Sequence, residues 1–251
     1  VLGDASAVAG IAALAGSALV YLSVGRAGYR GVLWESVGAA LLGALVMLGL
    51  IGVPTVRRRE RFVVRRRYSL FYLLTMLDGS RRQIFITFAL FALVKVHVAT
   101  AKEIAVLIAV SQAINIFAQP LIGRSTDRFG ERTILLIGTA VPIFVFTGYA
   151  FVHSKPVLFA LYCLDSACLG TNIARTTYLG KIAPRKHVLP SLSLGLTANH
   201  IMAVPLPLVG GYLWGRFGYS VTLLAGAFVS AVALVAATFV PTKGELEAKE
   251  A

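Results

Sequence analysis

The chain has 251 residues, of which 57% are hydrophobic and 14% charged, with a mean hydropathy of +0.79. A soluble domain of this length carries about 25% charged residues; here the charges are bunched between long apolar stretches, which excludes one large soluble core and indicates an all-α polytopic membrane protein. The net charge of +13 does not indicate nucleic acid, because no base-reading module accompanies it.

A helix needs about 20 residues to cross the hydrocarbon. Eight stretches qualify: 4–24, 33–54, 69–96, 102–122, 133–153, 156–180, 190–215 and 219–241. The chain opens at Val1 without a basic leader, so its first span is not expected to be an obvious signal peptide, and the sequence reads as a fragment or a processed product. Ala5, Ala9, Ala13 and Ser17 give that span a small-residue ridge for close helix packing.

After the second span, "VRRRERFVVRRR" places seven arginines beside the membrane, a topology signal that also suits anionic lipid. The loops near 56–67, 123–133 and 181–187, with the tail after 241, hold 15 Lys and Arg; the alternate loops hold 6. The basic set is therefore expected in the cytoplasm, with both termini.

The third span reads "YSLFYLLTMLDGSRRQIFITFALFALVKV". Its apolar run after Gln83 is too short to cross alone, so the helix must draw in Asp78, Arg81 and Arg82. At i, i+3 and i+4 the aspartate can face both arginines. The cluster is either self-neutralised or lines a cavity that binds substrate or protons. The fourth span carries a polar stripe of Gln112, Asn115 and Gln119, suited equally to interhelical bonding and to ligand contact.

In the sixth span Asp165, Asn172 and Thr176 share roughly one face. Asp165, the most central carboxylate, is poised for proton exchange or serves as the structural partner of an arginine. Cys163 and Cys168, in the same stretch, read as small buried hydrophobes. The seventh span holds Asn199 and His200 before Pro205 and Pro207, which free carbonyls and bend the helix. His200 is either a titrating group or a packing residue.

"GRAGYRGVLW…GVP" and "GRFGYSVTLL…FVP" share a Gly-Arg-x-Gly-Tyr turn, an apolar span and a closing proline. They precede the second and eighth spans, an offset of six helices, as in a duplicated bundle. On that reading residues 1–55 are the last two helices of one bundle, 56–68 a basic cytoplasmic linker, 69–241 a complete six-helix bundle and 242–251 a cytoplasmic tail.

Between the fourth and fifth spans stands "PLIGRSTDRFGERTILL". Gly123, Asp127, Arg128, Gly130 and Arg132 resemble the cytoplasmic signature loop of the major facilitator superfamily; Glu131 stands where that loop commonly has a basic residue. The signature joins the second and third helices of a six-helix half, where the internal repeat also places it. The resemblance implies that the chain covers the family's last eight helices, with upstream helices or a partner chain needed to complete the cavity. It also implies a cytoplasmic gate that latches and breaks as the halves rock, and it places Arg175 as the partner of Asp127.

No catalytic set appears: the four histidines lie on different segments without metal-ligand spacing, and no phosphate-cradling Gly-x-x-x-x-Gly-Lys is present. The expectation is a secondary transporter of a small solute, without cofactor or metal, driven by protons or another coupling ion through Asp165, Asp78 or His200. The location expected is a bacterial inner membrane. Candidate cavity residues are Asp78, Arg81, Arg82, Gln112, Asn115, Asp165, Asn172, Asn199 and His200. The alternatives are a non-transporting sensor or assembly protein of the same fold, and a membrane enzyme.

Overall fold

Backbone amides in hydrocarbon must be satisfied within their own segment, and this chain does so with helices. A computed structural model describes residues 2–49 and 64–242, and among these every regular element is helical. The basic linker, most of which falls in 50–63, and the tail from 243 lie outside the described residues.

The helices are α1 (Leu2–Gly49), α2 (Ser69–Lys95), α3 (Ala101–Phe129), α4 (Glu131–Phe151), α5 (Lys155–Ala167), α6 (Asn172–Ile182), α7 (Arg185–Ala203), α8 (Pro205–Phe217) and α9 (Tyr219–Thr238). Five apolar stretches among the described residues are long enough to cross a membrane: α3, α4, Lys155–Ile182, Arg185–Phe217 and α9. The chain is a multi-pass integral membrane protein. Helix α2 is 27 residues long and continuous, and it carries Asp78, Arg81 and Arg82 within its length.

The chain divides into two compact units, one of residues 1–61 with 100–109, the other of 62–99 with 110–251. In the first unit the separate spans expected at 4–24 and 33–54 are joined through the connecting residues, and only Gly28 leaves helical geometry (φ 64°, ψ −169°). Ser23 Oγ donates to both carboxylate oxygens of Glu35 at 2.7 and 2.6 Å, so the two arms fold back on each other at that glycine. The opening of α3 groups with this unit through Lys102, whose ammonium lies 5.7 Å from the centre of the Tyr21 ring. The side chains of Ala5, Ala9 and Ala13 lie outside the described ones; Ser17 on the same ridge is buried.

In the second unit α9 packs against α2, α4 and α8, while α2 also meets α7 and α6. Gly218 opens α9 with φ 88° and ψ 169°, nearly the geometry of Gly28. Both are the second glycine of a Gly-Arg-x-Gly-Tyr turn, and a side chain at such φ and ψ is strongly disfavoured. The two turns therefore share a backbone shape as well as a sequence.

Two spans leave regular α-helical pairing where chemistry is concentrated, each remaining one continuous helical stretch. Pro205 and Pro207 deny backbone donors, and the seventh span divides into α7 and α8 at Val204. The sixth divides at a 3₁₀ turn, Cys168–Thr171, three residues beyond Asp165. Sequence patterning expected a bend at the prolines and missed the 3₁₀ turn.

The second unit is layered along α2. At its start, Tyr68, Phe71 and Leu74 join an apolar cluster with Leu135, Tyr178, Leu179 and Val240. A buried charge layer follows at Asp78 and Arg81. Next Phe85 packs within 5.4–5.5 Å, between ring centres, of Phe146, Tyr149 and Tyr162. Beyond it, Trp214 stacks on Phe88 and tilts against Phe91.

Candidate functional site

The charge layer is a zigzag of four side chains. Arg81 Nη1 donates to Asp165 Oδ1 at 2.7 Å, and its Nη2 donates to Asp78 Oδ1 at 3.0 Å. Arg175 Nη2 donates to the other Asp78 oxygen at 2.8 Å and to Asn172 Oδ1 at 3.2 Å. Two arginines and two aspartates alternate, so their charges cancel.

All four are withdrawn from the surface: the side chains of Arg81, Asp165, Arg175 and Asp78 are 1, 4, 8 and 15% exposed. Unpaired, any of these charges would cost several kcal/mol at this depth, on the order of the effective desolvation penalty of one ion. The guanidinium fork is what allows one arginine to serve two carboxylates. Even so, Nε of Arg81 and Nε of Arg175 are buried without a partner among the described residues.

The network ties α2 to both halves of the sixth span, Asp165 from α5 and Arg175 from α6. Gly79 lets α7 approach the same point: a Cβ there would overlap the Asn199 carboxamide. The layer therefore joins α2 to the sixth span, with α7 packed beside it.

The other expected cavity residues separate. Arg82 does not share Asp78 with Arg81; it is exposed, and it forms no hydrogen bond or ion pair among the described residues. The geometric cause is the register of α2, in which Arg81 turns inward to reach Asp165. On α3, Gln119 Nε2 donates to Asn115 Oδ1 at 3.3 Å and Gln112 is half-buried. Asn172 is exposed and His200 is exposed.

At the end of the unit near the signature loop, Gly130 has φ 83° and α4 starts at Glu131. Gly123 is half-buried, whereas Asp127 and Arg128 are exposed and Arg132 is half-buried. Arg175, which the resemblance sets opposite Asp127, meets Asp78 and Asn172 in this conformation. Sequence reading gave no partner to Glu131, yet this carboxylate is 2% exposed and accepts from Lys181 Nζ at 2.7 Å, while its Oε2 is buried without a partner among the described residues. The signal was there: an acid in a commonly basic position needs a cation nearby. Tyr68 Oη and His187 Nδ1 lie 3.1 Å apart at the same end.

At the opposite end the fold gathers histidines that sequence spacing kept apart. His97 and His153 rings lie 6.2 Å centre to centre, and Tyr219 Oη is 3.4 Å from His153 Nε2. Burial, and then the neighbouring His153, hold the His97 imidazole below its ordinary range.

The sequence model of the family described as Major Facilitator Superfamily matches residues 69–251, a range that begins with α2 and holds the charge layer and the signature loop. No curated protein matches the chain.

Proposed function

The chain belongs to the major facilitator superfamily, a family of membrane transporters, and on that premise we propose a secondary active transporter that moves a small solute by alternating access, coupled to protons. The observation that carries this reading is the buried tetrad of Asp165, Arg81, Asp78 and Arg175. Ionisable groups at membrane depth are costly and mark substrate or ion pathways. The 3₁₀ turn three residues beyond Asp165, a local tightening of the sixth span, lies beside the same group.

In the proposed cycle Asp165 takes the proton. Neutralising it removes the charge that holds Arg81 Nη1, and the two ends of the sixth span are no longer tied equally to α2. Asp78 passes the change to Arg175 through its second oxygen. Arg175 then exchanges Asp78 for Asp127, and the segment of Gly123, Asp127, Arg128, Gly130 and Arg132 acts as the gate. Lys181 and Glu131 brace the loop on which that gate is built.

The asymmetry of Lys and Arg supports basic loops and both termini in the cytoplasm, with a bacterial cytoplasmic membrane as the location. Helices beyond the six of 69–238, from this polypeptide or a partner, supply the opposing wall of the cavity, and lipid surrounds the whole.

The test is uptake driven by an imposed pH gradient in proteoliposomes. Asp165→Asn keeps the shape and a hydrogen-bonding oxygen but cannot exchange the proton, so gradient-driven uptake should be lost while the protein remains folded. Gradient-driven uptake by Asp165→Asn equal to that of the unaltered protein would exclude the mechanism. A scaffold or sensor without transport would show no uptake in either form.

A further inference from the structure

Five charges stand at the centre of the second unit, and four of them cancel. Asp165, Arg81, Asp78 and Arg175 are linked in that order by three ion pairs. Arg82 is the fifth, exposed and without an ion pair among the described residues, although its charge still acts on Asp165. The site therefore carries one uncompensated positive charge.

The depth of Arg82 decides what it faces. It stands thirteen residues from Ser69 and thirteen from Lys95, the two ends of α2. At 1.5 Å per residue this is about 20 Å from either end; with α2 taken as the span expected at 69–96, Arg82 stands near the middle of a hydrocarbon layer about 30 Å thick. A guanidinium exposed there cannot rest among acyl chains, and the distance is too long for it to reach the headgroups. It needs a water-filled cavity or an anion. Asn199 sets its carboxamide against Gly79, almost one helical turn before Arg82.

From this we infer that the transported solute is an organic monoanion whose carboxylate is held by Arg82, with Asn199 beside it. The inference rests on the transporter reading above and adds the charge of the substrate. The neutral tetrad fixes the frame, and Arg82 alone reads the ligand's charge. A planar guanidinium presents paired N–H donors to a carboxylate, which a neutral amide cannot match in strength.

The test uses the full chain in lipid nanodiscs and two matched solute series. One is gluconate, gluconamide and glucamine; the other is 4-hydroxybenzoate, 4-hydroxybenzamide and 4-hydroxybenzylamine. The carboxylate of at least one series should raise the unfolding temperature, while its amide and amine do not. Arg82→Gln should weaken that carboxylate's apparent affinity by about tenfold or more, the worth of one charge-assisted hydrogen bond. Lys95→Gln removes a positive charge from the end of the same helix and should leave the affinity as it was.

Stabilisation by an amide or amine equal to that by its carboxylate, no stabilisation by either carboxylate, or unchanged binding in Arg82→Gln would overturn the inference. If Arg82→Gln does not fold, Arg82→Lys decides: it keeps the charge and loses the fork, so binding should fall several-fold, and unchanged binding would again overturn it. Counterflow of the same solutes in proteoliposomes separates the two readings. Arg82-dependent carboxylate binding without flux sinks the transporter reading and leaves the anion site standing. Flux of only the neutral or cationic members overturns the anion site and leaves transport standing.

Discussion

Replacing Asp165 with leucine removes one of two carboxylates from Arg81, a guanidinium 1% exposed whose Nε already lacks a partner among the described residues. The lost contact is the 2.7 Å bond to Nη1. The tetrad then holds two arginines and one aspartate, a surplus positive charge in a buried layer. Breaking a buried pair on one side costs about 3–5 kcal/mol. At about 2–4 °C per kcal/mol for a chain of this size, the unfolding temperature should fall by about 6–20 °C. Arg81→Leu should do comparable harm by stranding Asp165. The double variant Arg81→Leu/Asp165→Leu removes both charges and leaves Asp78 with Arg175 at 2.8 Å, neutral again. It should be more stable than either single variant, with a coupling of about 2 kcal/mol or more. The assay is thermal unfolding in nanodiscs followed by intrinsic fluorescence. If the double variant loses as much as the two singles summed, Arg81 and Asp165 do not act as a pair and the tetrad argument is wrong.

Three further outcomes follow from the same geometry. Lys181→Met leaves the Glu131 carboxylate buried without its cation and should cost about 1–3 kcal/mol; adding Glu131→Gln should recover part of that loss in the same unfolding assay. Gly218→Ala forces a side chain to φ 88° and should cost about 1–3 kcal/mol, whereas Gly215→Ala, one turn earlier in the helix, should not destabilise. His97, in the turn after α2, has its folded value lowered, so the unfolded state binds the extra proton first. Its contribution to stability is complete above about pH 6.5 and is lost as the pH falls below that value. His97→Gln should flatten the decline of stability in that range, and an unchanged slope would dismiss the histidine as its source.

The sequence carried most of the architecture because membrane physics leaves few choices. Long apolar runs can only be helices, and Gly and Pro punctuation marked the α7–α8 bend at Val204. The Gly-Arg-x-Gly-Tyr repeat was legible because a positive φ demands glycine at the same place twice. What stayed hidden depends on helix rotation and on partners distant in sequence. Asp165 and Arg81 are 84 residues apart, and no local spacing announces their bond. Local spacing even suggested that Asp78 would serve both Arg81 and Arg82; instead, Arg81 is drawn inward and Arg82 is left facing out. Glu131 looked like a surface departure from a basic pattern, and only the packing of α6 against α4 brings Lys181 to it.

The central claim is that solute movement and proton movement are one event at Asp165. The direct measurement is the internal pH of proteoliposomes, read by an enclosed dye, as each solute of the matched series is added outside without a gradient. The account predicts a solute-dependent pH change with the unaltered protein and none with Asp165→Asn, although that variant still exchanges solute across the membrane. Solute flux in the unaltered protein with no accompanying pH change, or the same pH change with Asp165→Asn, would contradict it.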